Sequence, residues 1–128
     1  MMNSGLLNTR IERWVKSIEL TSFTWDGVPV RVPVFSVYAI IQSPVITRSE
    51  YQNNKLIPII ELDKYTIPIV EPFGGVVEHT PNFAVVISQL VDNQFGLFAY
   101  PADHIEDNIV LSYAQWLETK PNIHFYQA

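Results

Sequence analysis

The chain has 128 residues, of which 48% are hydrophobic, and this length suits one compact domain or two very small ones. It contains no cysteine, which excludes disulfides, thiol catalysis and Cys-based zinc or iron–sulfur sites. Eight Lys and Arg residues against thirteen Asp and Glu residues give a net charge of -5, and the basic residues are scattered along the chain. We therefore do not expect nucleic acid or anionic lipid as a partner.

The sequence shows no targeting or membrane segment. Met1–Arg10 lacks the basic lead and the apolar run of a secretory signal peptide. The longest apolar-rich stretch, Val28–Ile41, is interrupted by prolines, an arginine and a serine, and it falls short of the roughly 20 residues that a transmembrane helix needs. We therefore expect a cytoplasmic protein without direct membrane insertion.

In chain order, the first predicted element is a helix over Thr9–Ser17. Its first and fourth residues have capping-box spacing, and apolar residues follow at intervals of three or four. The period then changes to two in Val28–Val34, where valines alternate with other residues as in a strand with one buried side. Asp26-Gly27 separates this strand from Leu20–Trp25, which predicts a β-hairpin.

Two more hairpins are predicted further along the chain. Each consists of two β-rich segments around a short polar turn: Leu56–Leu62 with Tyr65–Val70, and Phe83–Val91 with Phe95–Tyr100. Short strands at this spacing, without helical crossovers between them, predict a mainly β barrel or sandwich. Because proline cannot donate to a strand ladder, prolines in or beside these segments predict edges, bends or strand starts. These prolines are Pro29, Pro33, Pro58, Pro68, Pro72 and Pro101.

Capping spacing also predicts two further helical pieces. One is at Thr47–Glu50, ahead of Asn53-Asn54, and the other begins at Ser112 and ends at Pro121. Phe73-Gly74-Gly75 is the clearest loop signal and marks the predicted boundary between the first and second halves.

The densest polar cluster is Pro101–Asn108, in which His104 with Asp103 and Glu106 is a candidate metal ligand set or acid–base group. We favour a solvated turn there, with Asp103 capping a short helical segment. Glu78-His79 is interpreted as a surface loop, because adjacent residues do not generally converge on one substrate. The sequence contains no recognisable nucleophilic triad and no phosphate-binding glycine loop, so we expect no catalytic residue, metal or cofactor.

The sixteen aromatic side chains raise the question of a stacking platform for sugars or single-stranded nucleic acid. The acidic balance argues against nucleic acid. Five of the aromatic residues fall at strand positions and are expected in the core: Phe23, Trp25, Phe83, Phe95 and Phe98. A carbohydrate- or small-ligand-binding β-barrel stays open as an alternative.

The stretch Ile59–Phe73 reads IIELDKYTIPIVEPF and resembles the signature of the CheW-like family of bacterial chemotaxis coupling proteins. Its leucine and its Ile-Pro-Ile-Val run match the family pattern. Two other segments lie before and after this stretch, in the family's order. Phe23–Ile41 resembles the family's opening hairpin, and Ala84–Ile105 resembles its paired strands. The resemblance spans Ile18–Ser112.

Three departures from the family pattern affect what can be carried over. The family's Asn-Leu-Arg-Gly turn is Glu61-Leu62-Asp63-Lys64 here, so an acid replaces the arginine. Tyr100 stands where the family has an aspartate. The family also ends on a further hairpin, for which only Asn122–Gln127 remains here, so the second barrel is either incomplete or completed by another copy of the chain, as in a homodimer.

The resemblance implies a single domain of two small SH3-like five-stranded β-barrels, the CheW-like fold, with short N-terminal and C-terminal helices. The first barrel would cover residues 18–73 and the second 74–128. The function implied is that of a non-catalytic adaptor that couples the cytoplasmic tip of a chemoreceptor to the regulatory domain of a CheA-type histidine kinase. The residues expected at the partner contacts are Val37, Ile40 and Ile41 beside the first barrel, and Glu61, Asp63, Lys64 and Tyr65 at the central turn.

Two alternatives stay open, the first of them from another class of protein. One is a ligand-binding β-barrel or a small enzyme that works through His104 with Asp103 and Glu106. The other is a diverged CheW-like protein that has lost coupling and serves only as an assembly block, which the missing arginine and the short tail would explain.

Overall fold

The computed structural model describes residues 17–112 and 114–115. These residues form a 3-10 turn, Val34–Ser36, and nine strands: β1 Ser17–Trp25, β2 Val28–Pro33, β3 Val37–Gln42, β4 Arg48–Gln52, β5 Lys55–Leu62, β6 Tyr65–Pro68, β7 Phe83–Val91, β8 Gln94–Ala102 and β9 His104–Ser112. The described residues contain no full turn of α-helix. Three predicted segments lie wholly or partly outside the described residues. They are residues 9–16 of the predicted N-terminal helix, the predicted C-terminal helix beyond residue 115, and the tail at 122–127.

The capping spacing at Ser112 is visible as hydrogen bonds. The backbone N–H of Gln115 donates to Ser112 Oγ at 3.2 Å, and the N–H of Ser112 donates to Gln115 Oε1 at 2.8 Å. This reciprocal pair is the geometry of a capping box. It lies at the last residue of β9, Ser112.

Two-residue turns join four pairs of antiparallel strands, at Asp26-Gly27, Asn53-Asn54, Asp63-Lys64 and Asp92-Asn93. Every turn except Asp63-Lys64 has positive φ at both residues. Asn, Asp and Gly tolerate this region, and turns of this kind match the twist of the flanking strands. The three predicted hairpins are thereby confirmed, and the third has a two-residue turn.

The helix predicted at Thr47–Glu50 is wrong, because this part of the chain enters strand β4, which pairs with β5. Thr47 caps no helix. Its N–H and its Oγ1 both donate to the carbonyl oxygen of Ile59, at 2.9 and 3.2 Å. Asn53 and Asn54, with φ of 52° and 64°, then turn the chain directly into the partner strand. A strong hairpin turn here outweighs a capping pattern that is compatible with either structure.

The solvated turn with a short helical segment, predicted after Asp103, is also wrong. His104–Ser112 forms strand β9 and pairs antiparallel with β1. Asp107 and Asn108 together oppose Thr21, which makes a β-bulge in the middle of the pair. The isoleucines and the leucine of β9 are half-buried while its acidic residues are exposed, as in an edge strand with one face on the protein.

The strands form three antiparallel sheets of three strands each, which we call sheets 1, 2 and 3. Their strand orders are β2-β1-β9 in sheet 1, β3-β7-β8 in sheet 2 and β4-β5-β6 in sheet 3. The described part of the chain is therefore mainly β and antiparallel, as predicted. Pro29 and Pro101 lie in edge strands, also as expected. Pro58 does not: it lies inside the central strand β5, where its carbonyl oxygen accepts a hydrogen bond from the N–H of Ile69 at 2.9 Å.

Sheet 2 separates two hydrophobic cores. The core shared with sheet 1 contains Phe23, Val30, Val32, Val85, Ile87, Phe98, Tyr100 and Ala102. The core shared with sheet 3 contains Ile60, Ile67, Ile69, Ala84, Val86, Leu97 and Ala99. Successive residues of β7 and β8 therefore point into opposite cores. This explains why residues 83–87 and 95–102 are continuously apolar in sequence instead of alternating.

Sheets 1 and 2 each combine strands from before and after Gly74. In sheet 1, β9 pairs with β1, and in sheet 2, β7 pairs with β3. Residues 70–82, which we call the connecting segment, run between β6 and β7 without regular structure, and they include the predicted loop at 73–75. The division into two barrels at this point stays a prediction. Within the described residues, no helix has the length and apolar character needed to cross a bilayer.

Candidate docking surface

A histidine–aspartate pair joins two polar segments that the sequence analysis treated separately. His79 Nε2 lies 3.0 Å from Asp103 Oδ1, and the His79 ring stacks on the buried indole of Trp25 with 4.3 Å between centroids. The other carboxylate oxygen of Asp103 accepts the backbone N–H of Asp26 at 2.8 Å. Burial raises the pKa of Asp103, but the hydrogen bonds from His79 and from the Asp26 N–H outweigh burial and leave this pKa below its ordinary value.

The surrounding bonds identify this pair as a structural clasp. The N–H of Asp103 donates to the carbonyl oxygen of Thr24 at 2.8 Å, and Asn82 Nδ2 donates to the Asp103 carbonyl oxygen at 3.1 Å. Together these contacts fasten the connecting segment and the start of β9 to the β1–β2 turn. The candidate His104 is instead an exposed strand residue opposite Thr24. In the described part of the chain, no three His, Asp or Glu side chains gather as a potential metal site.

The apolar residues predicted for partner contact lie on β3, at the edge of sheet 2. Val37 packs against the core between sheets 1 and 2, and Ile41 packs against the core between sheets 2 and 3. Ile40 is 43% exposed. Of these three residues, Ile40 therefore offers the largest share of its surface to a partner.

The predicted turn residues lie at one end of sheet 3. Asp63 and Lys64 form the exposed β5–β6 turn, and Tyr65 follows as the first residue of β6. Glu61 is exposed on β5 and accepts a hydrogen bond from Arg48 Nη1 at 3.3 Å. The Nζ of Lys64 lies 5.8 Å from the centroid of the Tyr65 ring, within the range of a cation–π contact.

The structure adds two aromatic residues that the sequence analysis did not place beside Tyr65. Tyr38 lies on β3 and Phe95 on β8, and their ring centroids are 6.1 Å apart. The Tyr65 ring lies 6.2 Å from Tyr38 and 5.8 Å from Phe95, with its plane steeply inclined to both. Because Tyr38 is 45% and Phe95 is 51% exposed, the cluster forms part of the surface. The expectation that Phe95 belongs to the core is wrong.

Leu90 extends this cluster. It lies directly opposite Phe95 in the β7–β8 pair and is 64% exposed. Both residues flank the end of the hairpin, one pair away from the Asp92-Asn93 turn. We call Tyr38, Tyr65, Leu90 and Phe95 together the ring surface. Leu90 and Phe95 are exposed because side chains at the tip of a hairpin have few neighbours. Their closeness to the predicted turn is the signal in the sequence that indicates this exposure.

Two exposed turns border the ring surface. The only contact that pairs sheet 3 with sheet 2 in strand fashion, among the described residues, is a parallel bridge between Ile69 and Ala99. Counting back four residues on each side brings Tyr65 beside Phe95, which agrees with the distance between their rings. Tyr65 directly follows the Asp63-Lys64 turn, and Phe95 follows the Asp92-Asn93 turn after one residue. The ring surface therefore has two exposed turns on its border.

A search of solved structures finds a similar fold in the scaffolding protein TtCheW from Thermoanaerobacter tengcongensis. The TM-score is 0.56 at 14% sequence identity, over 76% of this chain and 64% of the scaffolding protein. This chain thus matches less than two thirds of that protein's length. No protein-family model matches the sequence, and no curated protein does. The expected family resemblance is therefore supported at the level of the fold: the described residues form a mainly β, CheW-like structure.

Proposed function

We propose that this protein is a non-catalytic adaptor of a chemotaxis-type signalling pathway, acting in the cytoplasm. In this proposal it couples a chemoreceptor to a CheA-type histidine kinase by binding both. Two small barrels, meeting near residues 73–74, would form the body of the adaptor. The likeness in fold to a CheW scaffolding protein supports the proposal, as does the resemblance of Ile59–Phe73 to the family signature.

The observation that carries the proposal is the ring surface. Exposed aromatic residues clustered on a rigid scaffold are typical of the centre of a protein–protein interface. Here the three rings come from β3, β6 and β8, so two sheets hold them in place. Tyr65 was among the residues predicted for partner contact, and Ile40 is exposed on the same strand as Tyr38. A partner that covers the rings would bury apolar area already fixed in position, which lowers the entropic cost of binding.

The test uses the full chain with the chemoreceptor and the CheA-type kinase of the same cell. The adaptor role predicts that adding the chain makes kinase autophosphorylation depend on the receptor. The double variant Tyr38→Ser with Phe95→Ser should lower the affinity for at least one of the two proteins by tenfold or more, because interface aromatic residues commonly contribute more than 2 kcal/mol.

The matched control is Tyr51→Ser with Val110→Ser. Tyr51 on β4 and Val110 on β9 are at least as exposed as the two ring residues but lie outside the ring surface. The control should bind like the unaltered chain. If neither kinase nor receptor binds the unaltered chain, or if control and ring variants lose affinity equally, this function is wrong.

A further inference from the structure

We propose that the end of the molecule that carries the ring surface binds a partner segment with a lysine or arginine beside bulky apolar side chains. This inference rests on the adaptor function proposed above and adds the chemistry of the partner. It comes from two features that lie together: a fixed apolar surface, and a pair of turns whose charge is mainly negative.

The apolar feature requires a bulky, uncharged contact. Tyr65 contacts Tyr38 and Phe95 edge to face, and the rings of Tyr38 and Phe95 are tilted against each other, so each ring limits the movement of the other two. Leu90 adds an aliphatic side chain next to Phe95. Large aliphatic or aromatic side chains of a partner would pack best on this surface, whereas a small polar segment would leave most of its apolar area exposed to water.

The charge of the two turns sets the sign of the charge that the partner should carry. Asp63 and Asp92 are the first residues of the two turns that border the ring surface, and both are exposed. Lys64, which follows Asp63 in sequence, lies near the Tyr65 ring. The turns therefore carry two negative charges against one positive charge. Complementary charge favours binding, and like charge opposes it.

The rest of sheet 3 does not reverse this sign. Arg48 is a base on its exposed side, and it contacts two carboxylates, those of Glu50 at 2.8 Å and Glu61 at 3.3 Å. Two acids around one arginine leave that group negative, and Lys55 at the far end of β5 makes the rest of sheet 3 neutral overall. With a net charge of -5 for the chain, a cationic segment is attracted both at long range and at the turns.

The experiment uses the full chain and two synthetic amphipathic peptides as probes. One peptide consists of leucine, tryptophan and lysine, and the other has glutamate in place of every lysine. Backbone amide shifts in the NMR spectrum report binding and its location. The lysine peptide should shift the amides of residues 63–65 and 92–95, with an affinity at least tenfold above that of the glutamate peptide. Its affinity should fall as salt is added.

Charge-reversal variants separate the effect of the charge at the two turns from the effect of the net charge of the chain. Asp63→Lys with Asp92→Lys should lower the affinity for the lysine peptide about tenfold and raise that for the glutamate peptide. Glu106→Lys with Asp107→Lys is the matched control, since it changes the net charge equally on the exposed side of β9. This control should keep the preference for the lysine peptide.

Three results would overturn the inference: equal affinity for both peptides, equal loss in the two double variants, or amide shifts that spare residues 63–65 and 92–95. None of them affects the kinase and receptor measurements described above. Failure of the partner chemistry is thus distinguishable from failure of the adaptor function, which is judged by kinase and receptor binding to the unaltered chain and to the ring variants.

Discussion

The clasp at His79 shows how single residues connect distant parts of this chain. Asp103 bonds to the ring of His79 in the connecting segment and to the backbone of Asp26 in the first turn. Neither bond follows from the sequence, because the residues that meet are 24 and 77 positions apart. What the sequence did show was the polar character of both segments. Their joint role depends on tertiary packing against Trp25.

The acid sensitivity of folding tests the clasp. Because the pKa of Asp103 is lowered in the folded protein, its ionised form contributes stability at neutral pH. That contribution begins to fall near the ordinary value of 3.8 and is lost as the pH drops through the lower folded value. Asp103→Asn should therefore cost about 1–3 kcal/mol at pH 7, as expected for loss of hydrogen bonds to a charged group. It should cost progressively less in acid.

Urea denaturation over a pH series measures this difference. Asp107→Asn is the control, because Asp107 is an exposed residue of the β9 bulge. It should leave stability at neutral pH unchanged. A constant difference between Asp103→Asn and the unaltered chain at every pH would contradict the assigned electrostatic role.

Among the elements, turn chemistry was the most informative part of the sequence. Short turns that begin with aspartate, between apolar runs, predicted three hairpins, and all three form. The fourth hairpin, at Asn53-Asn54, was not predicted, because Thr47 and Glu50 have capping-box spacing and indicated a helix instead. Strand β9 was missed because its acidic residues obscure the alternation of Ile105, Ile109 and Leu111. A local pattern compatible with two structures is decided by the partner strand, which the sequence alone does not identify.

The hairpin at Asn53-Asn54 can be tested by substitution. Asn54 has a φ of 64°, a region that a β-branched side chain adopts only at a cost of about 1–2 kcal/mol. Asn54→Val should lower the free energy of unfolding by this amount. Gln52→Val, two residues earlier on the exposed face of β4, should be neutral or slightly stabilising, since strands favour valine. Equal effects of both changes, measured in urea, would contradict a left-handed turn.

At the scale of the whole molecule, the sequence predicted the fold class better than the docking surface. Hairpin signals and the family resemblance pointed to a mainly β, CheW-like structure, and the fold comparison agrees. Of the surface residues, Tyr65 was predicted for contact, whereas Phe95 was assigned to the core and Tyr38 was not singled out. The proximity of these rings depends on how sheets 2 and 3 stack, and no spacing within one strand encodes that.

The shared middle sheet predicts that the molecule unfolds as one unit. Ile87 faces the core between sheets 1 and 2, while Ile67 faces the core between sheets 2 and 3, and both are fully buried. Ile87→Ala and Ile67→Ala should each lower the free energy of unfolding by about 2–5 kcal/mol. Each variant should still show one transition, coincident by circular dichroism and by tryptophan fluorescence.

The control for these variants is Val110→Ala, since Val110 is 63% exposed on β9. Its effect should stay within about 0.5 kcal/mol. Two separate transitions, with only one of them shifted by each core substitution, would instead show that the two cores melt independently.

The interleaving of strands across Gly74 also bears on how such a chain can evolve. A polypeptide cut there would leave β1 and β3 without the β9 and β7 against which they pair. The fragment before the cut would keep only sheet 3 complete, and the fragment after it would contain no complete sheet, so recombination could not exchange one half for that of a distant relative as an intact module. Substitutions before and after the glycine must instead remain mutually compatible, and co-expressed fragments would become structured only on meeting each other.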